Sequence, residues 1–258
     1  LLSYQTDTTR FVSTTKIYDT AISENTALTA VYNATDQCVI PEVIATDTTL
    51  SKDCSPYLVQ GNVTVESNAT LTVEAGVEIW MPLAGNIIVK GRLNAIGTDD
   101  NRIVFKRNPD TETGSWGALL FQHTAEPSFL KYTDLEAASQ GPDPVFDIAA
   151  ISAFDADLVL DHLTIENVKS NPITARYSDI TLTNSKLHSE VTGDCINVKY
   201  GKARIENCQF LGNDQPDTDA IDYDGIEGGV IKNCFMSNFR GFNSDAIDIG
   251  EKSKDLVI

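Results

Sequence analysis

Four tetrapeptides in the last third of the chain share one pattern. TIEN (164–167), TLTN (181–184), RIEN (204–207) and VIKN (230–233) each set an aliphatic residue two places before an asparagine. A second pattern follows each: NPITAR (171–176), DCINVK (194–199), DAIDYD (219–224) and DAIDIG (245–250). Its anchors Ile173, Ile196, Ile221 and Ile247 are separated by 23, 25 and 26 residues. Recurrence at such a period, with β-branched residues alternating and no helical periodicity, predicts stacked coils of an all-β solenoid. Each coil then buries its apolar side chains against its neighbours, and no globular centre is needed.

The formal charge of −18 leaves no basic surface to neutralise phosphates, which excludes nucleic acid and anionic lipid as partners. Nor does any apolar run reach membrane length, so this chain is not expected to insert into a bilayer. The chain opens LLSYQTDTTR, without an initiator methionine or a signal peptide, and a processed N-terminus is expected. At the other end DLVI (255–258) aligns with the start of a further coil, Ile258 falling 27 residues after Ile231. A raw sheet edge there predicts a solenoid truncated at its C-terminal end, with end-to-end self-association as one way to cover it.

Residues 1–56 are rich in Thr and Ser and alternate weakly; they read as an extended or irregular lead-in. Within them Cys38 and Cys54, 16 residues apart, predict a disulfide worth about 3 kcal/mol for a loop of that size. From Tyr57 the alternation becomes strict: Val63 and Val65, Leu71 and Val73, Val77 and Ile79, with turns at Gly61-Asn62, Ser67-Asn68 and Ala75-Gly76. The expected division is therefore 1–56 and 57–258. Asn108-Pro109, Gly141-Pro142 and Asp143-Pro144 mark loops leaving the stack.

The run 57–106, with GSWGALLF (114–121), resembles the opening coils of the right-handed parallel β-helix, or pectate-lyase-like, superfamily, as found in bacterial surface proteins. The resemblance covers roughly 57–258 and implies a right-handed, single-stranded parallel β-helix in an extracellular or cell-surface protein. It specifies fold far better than activity, because this superfold hosts lyases, hydrolases, adhesins and inert fibres. Residues 219–258 are also similar to the β-helix segment that accompanies spore-coat-kinase-like (CotH) domains. That similarity implies a structural or presenting role, and the chain carries no kinase motif.

Parity assigns the second strand of each coil. Ile173/Ala175, Ile196/Val198, Ile221/Tyr223 and Ile247/Ile249 point inward. Outside stand two columns, Thr174–Asn197–Asp222–Asp248 and Arg176–Lys199–Asp224–Gly250, with Asp194–Asp219–Asp245 at the entering turn. Like charges one coil apart repel unless solvated, protonated or bridged by a cation. Asp219, Asp222, Asp245 and Asp248 are thus either a solvated, turn-capping strip or a calcium site, calcium tolerating loose oxygen geometry. Stacked carboxylates could also serve glycoside hydrolysis. TDAID and SDAID resemble motifs of β-helix polygalacturonases, but that family's paired-aspartate, downstream His and Arg-x-Lys motifs are missing. Arg176 over Lys199 resembles the basic pair of β-helix polysaccharide lyases, in which a base removes the proton α to a uronate carboxylate and calcium neutralises that carboxylate. Arg176, Lys199, Asp222 and Asp248 are the candidate catalytic set on either enzyme reading. The simpler reading pairs Lys199 with Asp224 on the next coil.

Asn167, Asn184, Asn207 and Asn233 read as an asparagine ladder. Cys208 and Cys234, 26 residues apart in IENCQF and IKNCFM, read as stacked buried thiols, with a coil-to-coil disulfide as the alternative. Neither they nor Cys195 have zinc spacing, and His123, His162 and His188 form no nucleophilic triad. Asn33, Asn62 and Asn68 sit in Asn-x-Thr sequons. The leading expectation is a structural, adhesive or carbohydrate-facing scaffold meeting a polysaccharide or surface matrix. An enzyme acting on acidic glycans, a lyase before a hydrolase, is the alternative.

Overall fold

A computed structural model describes residues 38–258 apart from 112, and the backbone of Leu2–Thr6, Thr9–Val12 and Val31–Tyr32. The chain divides into two compact units, Leu1–Cys38 and Val39–Ile258. In the first, the three named strands form an antiparallel sheet with Leu2–Thr6 in the middle. The sequon at Asn33 lies outside the described residues.

Three parallel nine-stranded sheets make up the rest. Each coil gives one strand to each sheet in order, so coils stack as a parallel β-helix of nine turns. The stack starts with Cys38–Val39, Val43–Ile44 and Thr48–Leu50, ahead of the Tyr57 at which alternation tightens. Strands of two or three residues are too short to leave an alternating trace in sequence. Cys38 and Cys54 are both disulfide-bonded, and Cys195, Cys208 and Cys234 are free.

Inward residues form columns along the stack. In the first sheet Tyr57, Ile79, Phe105, Leu135, Ile165, Leu187 and Phe210 lie in register. In the third, Leu50, Val73, Ala95, Leu130, Leu160, Leu182, Ile205 and Ile231 do the same. All are buried, and burying a side chain of this size contributes about 1.5–3 kcal/mol.

The three corners differ. Between the third and first sheets the turn shortens to one or two residues in the later coils, Tyr132 alone joining Ser128–Lys131 to Thr133–Glu136. Long connections gather between the first and second sheets, at 108–118, 137–148, 189–195, 212–220 and 238–246. The prolines expected to mark loops fall there.

The repeat needs one correction. TLTN, RIEN and VIKN end strands of the third sheet, but TIEN overlaps Thr164–Glu166 of the first sheet. Asn167 therefore sits at a different corner from Asn184, Asn207 and Asn233. The third-sheet strand one coil before TLTN is Leu158–Asp161, and the residue that follows it is His162. Both corners demand a left-handed residue after the strand, φ being 56° at Asn167 and 50° at Asn184. Asparagine tolerates that conformation well, so the local sequences converge.

Candidate functional site

The second-sheet strands Asn171–Arg176, Ile196–Lys199, Ile221–Asp224 and Ile247–Ile249 pair in the expected register, Thr174↔Asn197↔Asp222↔Asp248 and Arg176↔Lys199↔Asp224. Facing outward does not mean exposed here: Thr174 and Asn197 are only 2% and 5% accessible. The Asn197 amide N–H₂ donates to Asp194 (3.1 Å) and to Asp222 on the next coil. Its Oδ1, like the Thr174 hydroxyl, is buried without a partner.

The aspartates at the entering turn form a ladder. Asp194 Oδ1 accepts the Asp219 N–H at 3.1 Å, and Asp219 Oδ1 accepts the Asp245 N–H at 2.5 Å. Each carboxylate caps the turn of the coil after it. Burial raises the Asp194 carboxyl pKa, and burial followed by the charge of Asp194 raises Asp219 to about 6. Asp222 reaches about 7, again chiefly through desolvation, with Asp194 and Asp224 adding repulsion and Lys199 opposing it. Asp245 and Asp248 are exposed. Among the described residues no three His, Cys, Asp or Glu side chains converge to hold a metal ion. Asp219, Asp222, Asp245 and Asp248 are thus neighbours in the stack without forming a cage.

Lys199 pairs with Asp224 across the coils, as the register implies. The Arg176 guanidinium lies 5.4 Å from the ring centroid of Phe146, and its Nε has no hydrogen-bond partner. Arg176, Lys199, Tyr200, Asp224, Gly225, Glu251 and Lys252 line a cavity of about 320 Å³.

The aromatic surface beside that cavity escaped the sequence reading. Tyr177 and Tyr200 follow the basic residues directly, each in the left-handed region (φ 54° and 58°). Their rings stack at 5.1 Å and 18°, and they are 54% and 48% exposed. Phe154 meets Tyr177 edge-on at 5.9 Å, and Phe146 packs on Phe154 at 4.8 Å. On the other side Gly225 (φ 61°) leaves room, since a Cβ there would come within 2.9 Å of the Tyr200 ring. The signal was present as Tyr177 and Tyr200 at a 23-residue step, but an exposed turn residue adds nothing to a hydrophobic pattern.

A larger cavity, about 480 Å³, borders the third sheet and is lined in part by Asp157, Asp179 and Lys202. Its carboxylates are again turn caps: Asp157 accepts the Asp179 N–H and Asp179 accepts the Lys202 N–H, at 2.8 and 2.9 Å.

The comparison that bears on this arrangement falls upstream of it. Residues 42–131 match the model of the pectate-lyase like beta helix domain family. The matched stretch runs from the strand at Val43–Ile44 to the one ending at Lys131, so it supports the pectate-lyase-like fold and carries none of the tyrosine or aspartate positions. No curated protein and no solved structure gives a significant match. The chain is therefore a parallel β-helix with a pectate-lyase-like stretch at 42–131, and its site must be argued from its own side chains. Among the described residues no helix is long and apolar enough to cross a membrane.

Proposed function

We propose that this chain is a secreted or cell-surface β-helix scaffold that presents a carbohydrate-facing surface, without catalytic chemistry of its own. The observation that carries the reading is the Tyr177–Tyr200 stack, two half-exposed rings held parallel on adjacent coils. Flat, preordered aromatic faces bury apolar ligand area at little entropic cost. Sugar rings offer such an area on their C–H faces, and the neighbouring polar groups of the cavity supply hydrogen bonds. An extracellular setting agrees with the disulfide-bonded Cys38 and Cys54.

The lyase reading needs free basic groups. Lys199 is neutralised by Asp224, while Arg176 keeps an unpartnered Nε, which favours holding a carboxylate over abstracting a proton beside one. Incubation with polygalacturonate separates the two readings. Binding without unsaturated uronate product supports the scaffold, and release of that product overturns it.

Calcium belongs to the same proposal as a stabilising ion at Asp219, Asp222, Asp245 and Asp248. It requires the stacked carboxylates of Asp222 and Asp248 to close on the ion, since Asp219 already has one oxygen committed. A calcium-dependent rise in Tm, reversed by chelator and lost in Asp222→Asn, supports it; no shift in either protein removes it.

A further inference from the structure

Cys208 and Cys234 close the same minimal turn on successive coils, one place before the paired residues Gln209 and Phe235. The asparagines just before them hold the register, Asn233 Nδ2 donating to Asn207 Oδ1 at 3.2 Å. Both sulfurs point the same way. Cys208 Sγ donates to Glu206 O and Leu182 O (3.3 and 3.6 Å), and Cys234 Sγ to Lys232 O and Ile205 O (3.4 and 3.7 Å). In-register parallel strands lie about 4.8 Å apart, inside the Cα separation that a disulfide spans. Each thiol shifts the pKa of the other.

We propose that Cys208 and Cys234 are a dithiol that a low-molecular-weight disulfide oxidises to a covalent staple between the last two coils described. The roles divide by accessibility. Cys234 is half-buried and the more accessible of the two, and the Cys208 thiol beside it lowers its pKa, so it is the attacking thiolate. Cys208 is 1% exposed, and its pKa is raised by the neighbouring Cys234 and by burial, so it resolves. The Cys234 thiolate attacks one sulfur of the oxidant RSSR, forming Cys234–S–SR and expelling RS⁻. Cys208 then loses its proton to solvent and its sulfur attacks Cys234 Sγ, forming the protein disulfide and expelling the second RS⁻. Two protein thiols are oxidised and one RSSR is reduced to two RSH. The coil before them carries Ser185 in the same column, its hydroxyl donating to Thr183 O at 2.7 Å. Serine is therefore a tolerated isostere at this position.

The test treats folded protein with oxidised glutathione, alkylates the remaining thiols, and maps peptides by mass spectrometry without reduction. Wild type is expected to yield a peptide linking Cys208 to Cys234, with Cys195 (fully buried, its pKa raised by desolvation) left as a thiol. C208S is expected to accumulate the glutathione adduct on Cys234, and C234S to leave Cys208 unmodified. Two free thiols in treated wild type overturn the proposal, as does a persistent adduct on wild-type Cys234 or a link to Cys195.

Discussion

Asn207 shows how much one residue does in this stack. It turns the chain at φ 55°, donates to Asn184 Oδ1 at 3.3 Å and accepts from Asn233. Alanine keeps none of the side-chain bonds and pays the left-handed penalty, so Asn207→Ala should destabilise by about 1–3 kcal/mol, read as a lower urea midpoint at unchanged m-value. Asn207→Gly should cost less, because glycine is at ease with positive φ; equal losses would mean the backbone conformation contributes little. Asp222 makes the converse point. Its carboxyl titrates near 7 when folded against an ordinary value of 3.8, so the native state holds a proton that the unfolded chain has released. Stability associated with this group is intact below about pH 4, falls as pH rises, and is fully lost above about pH 7. Asp222→Asn should match wild type near pH 4 and melt several degrees higher at pH 8, where about 1 kcal/mol moves Tm by roughly 2–4 °C in a chain of this size. A difference independent of pH would contradict the assignment.

At the scale of the strand, inward side chains hold the stack and outer charges matter little. Ile196 is fully buried between Ile173 and Ile221, and Ile196→Ala should cost about 2–5 kcal/mol in denaturant unfolding. Lys199→Ala removes a partly exposed bridge and should stay within about 1 kcal/mol of wild type. Strand register was legible for a physical reason: a one-residue slip would turn Ile173, Ile196 and Ile221 outward. Corner identity was not. Asn167 and Asn184 follow similar strands and meet the same conformational demand at different corners, so only the later course of the chain tells them apart. The coil of Val43–Ile44 and Thr48–Leu50 was hidden by its short strands, and the tyrosines by their exposure.

Across the whole β-helix, one device repeats: a polar side chain at a corner bonds to the coil beside it. Asp157, Asp179, Asp194 and Asp219 cap backbone N–H groups of the following coil, and Asn184, Asn207 and Asn233 link side chain to side chain. A rigid stack of this kind holds Tyr177 and Tyr200 parallel without help from a ligand, which is the core of the functional account. Affinity electrophoresis of wild type and the Tyr177→Ala/Tyr200→Ala double variant, through gels containing polygalacturonate or a neutral β-glucan, tests it most directly. The account predicts that at least one polysaccharide retards wild type, and that the double variant runs free while keeping a near-wild-type Tm. Equal retardation of both proteins, or none of wild type in either gel, would contradict it.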